Sequence, residues 1–453
     1  MLQEIVIFQK QVLRYSESEQ RRRLAISDAP AKDGRMSVEK IHTLVIGAGQ
    51  AGVAASEHLS RNGVAHIVLE RGRIAERWRS MRWDSLVANG PAWHDSFPNL
   101  DFPGCPDDFV PKEGVADYFE AYAAKFKAPV RCGVEVTLVE RLEGRPGFRV
   151  ETTAGSFEAL NVVTATGPFQ KPNIPPLVPA LEGISQIHSS DYRNPAQLDE
   201  GAVMVVGAGS SGVQIAEELM RSGRKVYLSV GAHDRPPRAY RGRDFVWWLG
   251  VLGKWDAQVQ APGTQHVTIA VSGARGGETI DFRRLAAQGM VLVGQTGPYA
   301  DGKLTFAGDL VENLDRGDEN YLSLLDEADA YIAANGLNLP EEPGARELGP
   351  AVDCVTNPLR DLDLAEAGIT TIIWATGFSS DYSWLRVNAF DEAGRPCHKQ
   401  GVSTEPGVYF LGLPWLSGRG SSFIWGVWYD ARHVADHIVI QDHYKSYAPA
   451  LAG

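Results

Sequence analysis

The chain has 453 residues, of which 44% are hydrophobic and 22% are charged. This length allows two or three domains, each with its own core. A formal net charge of −12 argues against a surface built for nucleic acid or anionic lipid. The sequence has no apolar run of the roughly 18 residues that a membrane span needs. We therefore expect neither a nucleic-acid partner nor a membrane span.

The four cysteines are Cys105, Cys132, Cys354 and Cys397. No pair has C-x-x-C spacing, which argues against a thiol redox centre and against a zinc site, and no other metal-ligand cluster stands out. Scattered cysteines are typical of free thiols in a reducing compartment, so the sequence predicts a cytoplasmic protein.

Residues 1–40 are predicted to be a loosely docked N-terminal extension. Their short apolar patch, Ile5 to Phe8, precedes the polar and basic residues, which is the wrong order for a signal peptide.

From Ile41 onward, strand and helix patterns alternate, which indicates an α/β fold with a largely parallel sheet. The apolar strand "IHTLVIG" leads to a helix reaching about Asn62, which Gly63 ends, and then to the strand "AHIVLE". The same order returns with "AVMVVG", a helix to Ser222, Gly223 and "KVYLSV". The chain thus contains two copies of one strand–turn–helix–strand unit.

Other predicted elements lie between and after these copies. The stretch from Asn89 to Pro111 is too rich in proline and glycine for regular structure, and a helix in "VADYFEAYAAKF" follows it. An irregular zone runs from Arg235 to about Gly302. A helix around Glu319–Asn335 and the strand "TTIIWATGF" come next.

The first turn satisfies G-x-G-x-x-G with Gly47, Gly49 and Gly52. The first glycine makes the tight turn, the second lets the backbone approach a pyrophosphate, and the third lets helix and strand pack closely. Glu70 ends the second strand, where a carboxylate accepts hydrogen bonds from ribose hydroxyls. This turn predicts a site for a dinucleotide with an unphosphorylated adenosine ribose.

The second turn repeats the pattern with Gly207, Gly209 and Gly212. Ser229 and Val230 stand where the acid would be, and Arg235 and Arg238 follow. Loss of the carboxylate and gain of guanidinium groups predict a 2′-phosphate site, hence NADPH. The alternative for the two arginines is a solvated turn. FAD would then be the cofactor that stays and NADPH the one that delivers hydride.

Roughly residues 41 to 440 resemble the class B flavin-dependent monooxygenases, which include flavin-containing monooxygenases, YUCCA-type enzymes and bacterial relatives. In "RGRIAERWRSMRWDSL", Trp78 and Arg79 match the family's Trp-Arg, although Ala75 and Glu76 replace its two glycines. "VVTATGPFQKPNIP" and "IIWATGF" resemble its two A-T-G segments, and "GVYFLGLPWL" with "GSSFIWGVWYDARHVADHI" resembles its closing strand and helix.

The resemblance implies two Rossmann-like dinucleotide-binding domains of the glutathione-reductase-like superfamily. An FAD domain would span 41–195 and 356–453, and an NADPH domain with an inserted loop-rich segment would span 196–355. The predicted cofactor-binding residues are Gly47, Gly49, Gln50, Ala51, Gly52, Glu70, Arg71, Trp78, Arg79, Val136, Ala165, Thr166, Gly167, Gly207, Gly209, Ser210, Ser211, Gly212, Ser229, Arg235, Arg238, Thr376 and Gly377.

The family's linking fingerprint, F-x-G-x-x-x-H with an aromatic four residues on, is only partly kept in "LEGISQIHSSDY". Leu181 replaces the phenylalanine, and one extra residue separates Gly183 from His188. Tyr192 is the aromatic, as in N- and S-oxidising or YUCCA-type members rather than Baeyer–Villiger enzymes. The alternative reading of His188 is a hinge histidine with structural hydrogen bonds.

The resemblance also implies the reaction. NADPH would reduce the flavin, O2 would add to form a C4a-(hydro)peroxyflavin, and one oxygen atom would pass to a small N-, S-, ketone or 2-oxo acid substrate. Asn89 is the predicted catalytic donor, the alternative being an ordinary turn residue before glycine. The candidates for apolar cover are Trp415, Phe423, Trp425 and the segment "DFVWWLGVLGKW", although core or dimer contact is an alternative for them.

Two other functions stay open from the sequence. One is an NADPH-dependent flavin reductase or dehydrogenase with a different acceptor. The other is a non-catalytic protein whose two sites only sense nucleotide redox state. The sequence also leaves a homodimer open.

Overall fold

The structure is a computed structural model that describes residues 38–258 and 268–447. The predicted extension over residues 1–40 lies outside the described residues, apart from its last three.

The helices of the described residues lie between the strands, except α9, which follows the last strand. They are α1 Gln50–Arg61, α2 Glu76–Ser80, α3 Lys112–Lys125, α4 Ser210–Arg221, α5 Phe245–Val251, α6 Phe282–Ala287, α7 Leu310–Asn335, α8 Asp353–Thr356 and α9 Ile424–Ser446.

The strands range from two-residue bridges to the ten residues of β6. They are β1 Glu39–Ile46, β2 His66–Glu70, β3 Val130–Cys132, β4 Val136–Arg141, β5 Phe148–Thr152, β6 Gly155–Thr164, β7 Lys171–Pro172, β8 Ser185–His188, β9 Ala202–Val206, β10 Val226–Ser229, β11 His233–Asp234, β12 Ala239–Tyr240, β13 Arg243–Asp244, β14 Thr268–Ile269, β15 Val291–Val293, β16 Thr296–Ala300, β17 Lys303–Phe306, β18 Asp361–Asp363, β19 Ile369–Trp374, β20 Phe378–Ser379, β21 Leu385–Arg386, β22 His398–Lys399, β23 Val402–Ser403 and β24 Val408–Phe410.

The first sheet contains the first glycine turn. Its strand order is β21-β4-β5-β6-β1-β2-β3, and β24 pairs with β6 on a branch. The pairs β1–β2 and β2–β3 are parallel, whereas β4, β5 and β6 form antiparallel hairpins. The last residues of β1 are apolar and fully buried, as expected for a strand covered on both faces.

The second sheet contains the second glycine turn, and its order is β15-β10-β9-β19-β8. Every pair in it is parallel. The units β1–α1–β2 and β9–α4–β10 therefore have the same order around their turns, and the predicted α/β fold with two Rossmann-like units is confirmed.

Strands β8 and β19 lie in the second sheet, although the predicted domain ranges put both pieces of chain in the first domain. Strand β19 pairs with β9 on one side and with β8 on the other, so the second sheet is completed by residues on both sides of 196–355. Apart from these two strands, the domain ranges stay a prediction.

Helix α9 packs along α1 within the core of the first sheet. The alanines of α1 and residues such as Val427 and Ala431 of α9 are small and buried, which allows close approach. A buried carboxylate also joins the two helices, because Glu57 accepts a hydrogen bond from Trp428 Nε1 at 2.8 Å. The same carboxylate accepts one from the Tyr122 hydroxyl of α3.

Two predicted helices are found with different bounds, and one predicted irregular zone contains helices. The helix predicted at "VADYFEAYAAKF" is α3, and the one predicted around Glu319–Asn335 is α7, which begins at Leu310 because its buried face continues through Leu310 and Leu314. Within the irregular zone, Asp244 and Asp281 cap α5 and α6 by accepting hydrogen bonds from backbone N–H groups.

Candidate functional site

The first glycine turn has an open face at its second glycine. A Cβ at Gly47, where φ is +100°, would lie 2.7 Å from the Ala165 carbonyl oxygen, and one at Gly52 would lie 1.8 Å from the Gly47 carbonyl oxygen. A Cβ at Gly49 would meet nothing within 4 Å. The outer glycines are therefore required by packing, whereas the middle one keeps open space at the N-terminus of α1. That arrangement fits a pyrophosphate.

The Glu70 carboxylate is fixed beside this turn. Its Oε2 accepts from the Ala48 N–H at 2.8 Å, and its Oε1 accepts from the Gly72 N–H at 2.8 Å. Val136 is half-buried in β4 of the same sheet, whereas Arg71 is exposed and only loosely paired with Glu135, at 3.8 Å. The Glu70 carboxylate is therefore held at the turn, where its role as a ribose ligand stays a prediction, and Arg71 lies on the surface.

The other residues predicted to bind FAD near this turn lie on α1 and α2. Gln50 donates through Nε2 to the Ser422 carbonyl oxygen at 2.9 Å, and Ala51 is buried. Trp78 packs against the cores of both main sheets. Arg79 is committed to α3 instead, because it forms ion pairs with carboxylates there at 2.9 and 3.1 Å.

Sequence reasoning missed two arginines of the Trp-Arg segment. Arg77 donates weakly to the Gln170 carbonyl oxygen, at 3.4 Å, and its Nη1 is buried without a hydrogen-bond partner. Arg82 lies 4.8 Å from the centre of the Phe169 ring, and burial lowers the pKa of its guanidinium to about 10. These two cations have no carboxylate partner among the described residues, although most other buried arginines do. Their positive charge is compatible with a phosphate-bearing cofactor nearby.

The two A-T-G segments meet at a short pair of strands, β7 and β20. In the first segment, Ala165 lies against Gly47, and the Thr166 hydroxyl accepts from Gln170 Nε2 at 3.0 Å. In the second, the Thr376 hydroxyl donates to the Asn173 carbonyl oxygen. Gly167 and Gly377 both have positive φ, 70° and 78°. The segments therefore connect the two sheets.

His188 is a structural residue of this junction. Its side chain is fully buried, Nε2 donates to the Gly377 carbonyl oxygen at 2.9 Å, and Nδ1 accepts from the Ser190 N–H at 3.1 Å. Burial lowers the pKa of the imidazole below its ordinary value, which favours the neutral form. Tyr192 is also fully buried and donates to Glu218 of α4. These contacts support the hinge alternative for His188.

The second glycine turn has the same backbone but a covered face. A Cβ at Gly207 would lie 2.6 Å from the Ala375 carbonyl oxygen, and one at Gly212 would lie 1.8 Å from the Gly207 carbonyl oxygen. A Cβ at Gly209, however, would lie 2.4 Å from Thr268 Cγ2 of β14. The residues therefore fit a pyrophosphate at the first turn, but in this conformation they do not fit one at the second.

The N-terminus of α4 is engaged by the same strand. Ser210 donates through its hydroxyl to the Ile269 carbonyl oxygen at 2.7 Å, and Ser211 is half-buried beside it. Ser229, at the end of β10, is buried, donates to the Gly294 carbonyl oxygen and accepts from the Thr296 N–H. The predicted cofactor residues of the second unit thus make contacts within the protein.

The prediction that Arg235 and Arg238 bind a 2′-phosphate needs correction. Arg235 is 2% exposed and donates through Nε to Asp318 at 2.8 Å. Arg238 is 4% exposed and holds both carboxylate oxygens of Asp244, at 2.5 and 2.6 Å. Each guanidinium is already paired with a carboxylate, buried in Asp318 and half-buried in Asp244. Both arginines are therefore internal cations, and neither forms a solvated turn or a phosphate site.

Asn89 joins the loop after α2 to the second unit. Its Oδ1 accepts from Gln214 Nε2 at 3.0 Å, and its backbone carbonyl accepts from Arg238 Nη1 at 2.6 Å. Gln214 is on α4, two residues after Gly212, and sequence reasoning missed it. The sequence signal was only a polar residue on the buried face of an amphipathic helix.

Part of the predicted aromatic cover comes together around His94. The His94 ring stacks on Trp255 with centroids 5.3 Å apart, and Trp255 lies 5.3 Å from Phe423 and 5.6 Å from Trp425. Trp248 lies instead in a separate apolar cluster with Tyr240 and residues of α7, and Trp247 packs against that cluster. Trp415 has a positive φ of 58°.

This aromatic cluster is connected to the Asn89 loop. His94 contacts the Asp95 carboxylate at 2.9 Å, and Asp95 accepts from the N–H of Gly90 at 3.2 Å. The structure therefore brings the apolar cover and the predicted catalytic asparagine into one neighbourhood. His94 had no signal in the sequence beyond its aromatic neighbours.

Within residues 38–258 and 268–447, no His, Cys, Asp and Glu side chains group in a way that could hold a metal ion. The four cysteines are free thiols. Of the helices in the same residues, none has the length and apolar character to cross a bilayer.

Comparison with known proteins gives matches of different reach. Residues 44–241 match the family model of pyridine nucleotide-disulphide oxidoreductases. An uncharacterized CzcO-like oxidoreductase of Geobacillus kaustophilus is 35% identical, over 88% of this chain and 98% of that protein. A probable indole-3-pyruvate monooxygenase, YUCCA4 of Arabidopsis thaliana, is 25% identical over 88% of this chain and 90% of that protein.

The fold is similar to that of a flavin-containing monooxygenase from Stenotrophomonas maltophilia, with a TM-score of 0.61 and 19% identity. The alignment covers 89% of this chain and all of that one. The fold is therefore that of a flavin-containing monooxygenase, and the chain is an enzyme that belongs to the CzcO-like oxidoreductases.

Proposed function

We propose that this enzyme uses NADPH and O2 to transfer one oxygen atom to a small organic substrate, through a C4a-(hydro)peroxyflavin. The observation that carries the proposal is the position of Asn89. This residue is hydrogen-bonded to the helix that follows the second glycine turn, and its loop is also connected to the aromatic cluster around His94. A neutral donor between the two dinucleotide units and an apolar wall suits oxygen transfer.

The first glycine turn supports FAD as the cofactor that remains bound to the protein throughout the reaction. Gly49 leaves the N-terminus of α1 open, and the Glu70 carboxylate is held beside it by two backbone N–H groups. Bound FAD would supply the electron transfer and the reaction with O2, while the protein supplies orientation and hydrogen bonds.

Asn89 would donate a hydrogen bond where negative charge develops on oxygen. An amide donates without a change of protonation, and a donor aimed at developing charge in a dry site is worth far more than one in water. Trp255, Phe423 and Trp425 would help to exclude water, because unprotected oxygen chemistry loses its oxidising equivalents as H2O2.

The substrate class includes soft N and S nucleophiles, ketones and 2-oxo acids. One relative carries indole-3-pyruvate, a 2-oxo acid, in its name, which supports including 2-oxo acids in the test panel. The free cysteines favour a reducing compartment such as the cytoplasm.

The experiment is anaerobic mixing of the purified holoenzyme with NADPH, followed by air. Bleaching of the flavin and then a transient band of the oxygenated flavin would support the proposal. Bleaching without that band would point to the reductase alternative, and no bleaching would point to a nucleotide sensor. Incubation with the substrate panel under 18O2 then identifies the product class by one incorporated oxygen atom.

A further inference from the structure

We propose that Gln214 is a positioning residue that fixes which end of the Asn89 amide faces the cofactor cleft. The inference rests on the proposed function, because it concerns the donor that this function needs. It is carried by a chain of three polar groups: the Val271 carbonyl, the Gln214 amide and the Asn89 amide.

The first step is the orientation of Gln214. This side chain is 6% exposed, and its Nε2 lies 2.7 Å from the Val271 carbonyl oxygen. A backbone carbonyl can only accept, so the glutamine must turn its NH2 end toward it. The reversed amide would place two oxygens against each other in a buried site, where an unmet polar contact is costly.

The second step is the orientation of Asn89. The amide nitrogen of Gln214 has two hydrogens, and the one not used by Val271 points to Asn89 Oδ1 at 3.0 Å. Asn89 must therefore present its oxygen to Gln214, which leaves Nδ2 at the opposite end. That Nδ2 donates to no protein group in the described part of the chain.

The third step is the immobility of the Asn89 backbone. Its carbonyl accepts from Arg238 Nη1, and Arg238 is itself held by both oxygens of Asp244. With the backbone held, rotation of the amide is the freedom that Gln214 removes. Gln214 thus keeps the Asn89 donor directed away from the protein scaffold without itself touching the reacting atoms.

The experiment compares Gln214→Glu and Gln214→Met with Asn89→Ala. A carboxylate at position 214 can only accept, so it would attract Asn89 Nδ2 and turn the donor away from the cleft. We expect Gln214→Glu and Asn89→Ala each to shorten the lifetime of the oxygenated flavin on the order of a hundredfold. The Met variant no longer donates to Asn89 Oδ1, so the Asn89 amide loses the one hydrogen bond that orients it. This variant should shorten the lifetime of the oxygenated flavin about fivefold.

The controls separate positioning from folding. Gln288→Met makes the same change at an exposed residue and should leave the lifetime unchanged. FAD content and the anaerobic rate of reduction by NADPH should stay at wild-type values in all Gln214 variants. The double variant Asn89→Ala with Gln214→Glu should be no worse than Asn89→Ala alone, because the second change acts through the first.

The outcomes are distinguishable. If the wild type forms no oxygenated flavin, the proposed function fails and the inference fails with it. If the wild type forms it and Gln214→Glu keeps the wild-type lifetime, only the role of Gln214 is overturned. Additive effects in the double variant, or equal slowing of anaerobic reduction, would also overturn that role, because Gln214 would then act independently of Asn89.

Discussion

The two glycine turns share one backbone and differ in what lies against it. The first glycines have φ of +100° and +104°, and a Cβ at either third glycine would lie 1.8 Å from the first glycine's carbonyl oxygen. At the second glycines the likeness ends, because Gly49 faces open space and Gly209 faces Thr268. The glycine motif therefore fixes the shape of the turn. Whether a dinucleotide can approach the second turn depends on Thr268, which is far away in the sequence.

This difference fits the two roles that we propose for the cofactors. A cofactor that stays bound is matched by a site that is open in the protein alone. A dinucleotide that binds and leaves is matched by a turn that the chain covers itself, so binding there requires Thr268 to move away from Gly209.

The largest effect is expected from Gly49→Val. The glycine has φ −77°, which any residue adopts, and its Cβ position is empty, so the apoprotein should fold normally. The side chain would nevertheless occupy the space beside the turn, and most of the flavin should be lost. Flavin absorbance per protein and the Tm of the apoprotein measure the two effects. Full flavin content in a folded variant would break the assignment of the first turn.

Arg235→Ala should act on stability rather than on dinucleotide choice. It leaves the buried Asp318 with Arg283 as its remaining ion-pair partner, at 2.8 Å. Breaking a buried pair costs about 3–5 kcal/mol, and we expect the lower end because Arg283 is retained. Denaturant unfolding of the variant, with the exposed Arg243→Ala as control, tests this. A changed NADPH/NADH ratio at unchanged stability would restore the 2′-phosphate interpretation.

Thr268→Ser should strengthen binding at the second turn. It removes the methyl group that lies against Gly209 and keeps the hydroxyl, whereas Thr268→Val keeps a methyl in place. A methyl-sized contact is worth about 0.8 kcal/mol, so the Kd for NADP+ should fall about fourfold in the Ser variant only. Titration with NADP+ measures the Kd, and flavin content should not change. Equal Kd values for both variants would show that Thr268 does not cover the site.

The smallest effect concerns pH. Burial lowers the pKa of His188 below its ordinary value of 6.5, so below pH 6.5 the unfolded chain binds a proton that the folded protein does not. Stability should be flat above that pH and fall below it. Other buried histidines, such as His58 and His66, act in the same direction. His188→Asn should therefore reduce, not abolish, the fall in Tm between pH 7 and 5.5, and an unchanged slope would contradict its role.

The sequence predicted the parts of the molecule that depend on neighbours along the chain. Both strand–turn–helix–strand units, the helix ends at Gly63 and Gly223 and the place of Glu70 follow from local patterns, and the structure agrees. Strands β8 and β19 of the second sheet were placed in the first domain, because the pairing partners of a strand are not local in the sequence.

The contacts that could not be predicted join residues far apart. Ser210 and Ile269 are 59 positions apart, Arg235 and Asp318 are 83 apart, and Asn89 and Gln214 are 125 apart. No pattern in a single sequence indicates that an arginine after a strand forms an ion pair with a carboxylate on a distant helix. The prediction that Arg235 and Arg238 bind an anion was therefore correct. The predicted anion was wrong, because both bind carboxylates of the protein rather than a 2′-phosphate.

The packing of α9 on α1 has a consequence for synthesis on the ribosome. Helix α1 lies near the start of the chain, and the buried hydrogen bond from Trp428 to Glu57 forms only when α9 has left the exit tunnel. The second sheet needs nothing beyond β19, which ends at Trp374. We therefore expect the second sheet to be completed first during translation, although its turn comes later in the sequence. The flavin would then be bound only after α9 has packed on α1.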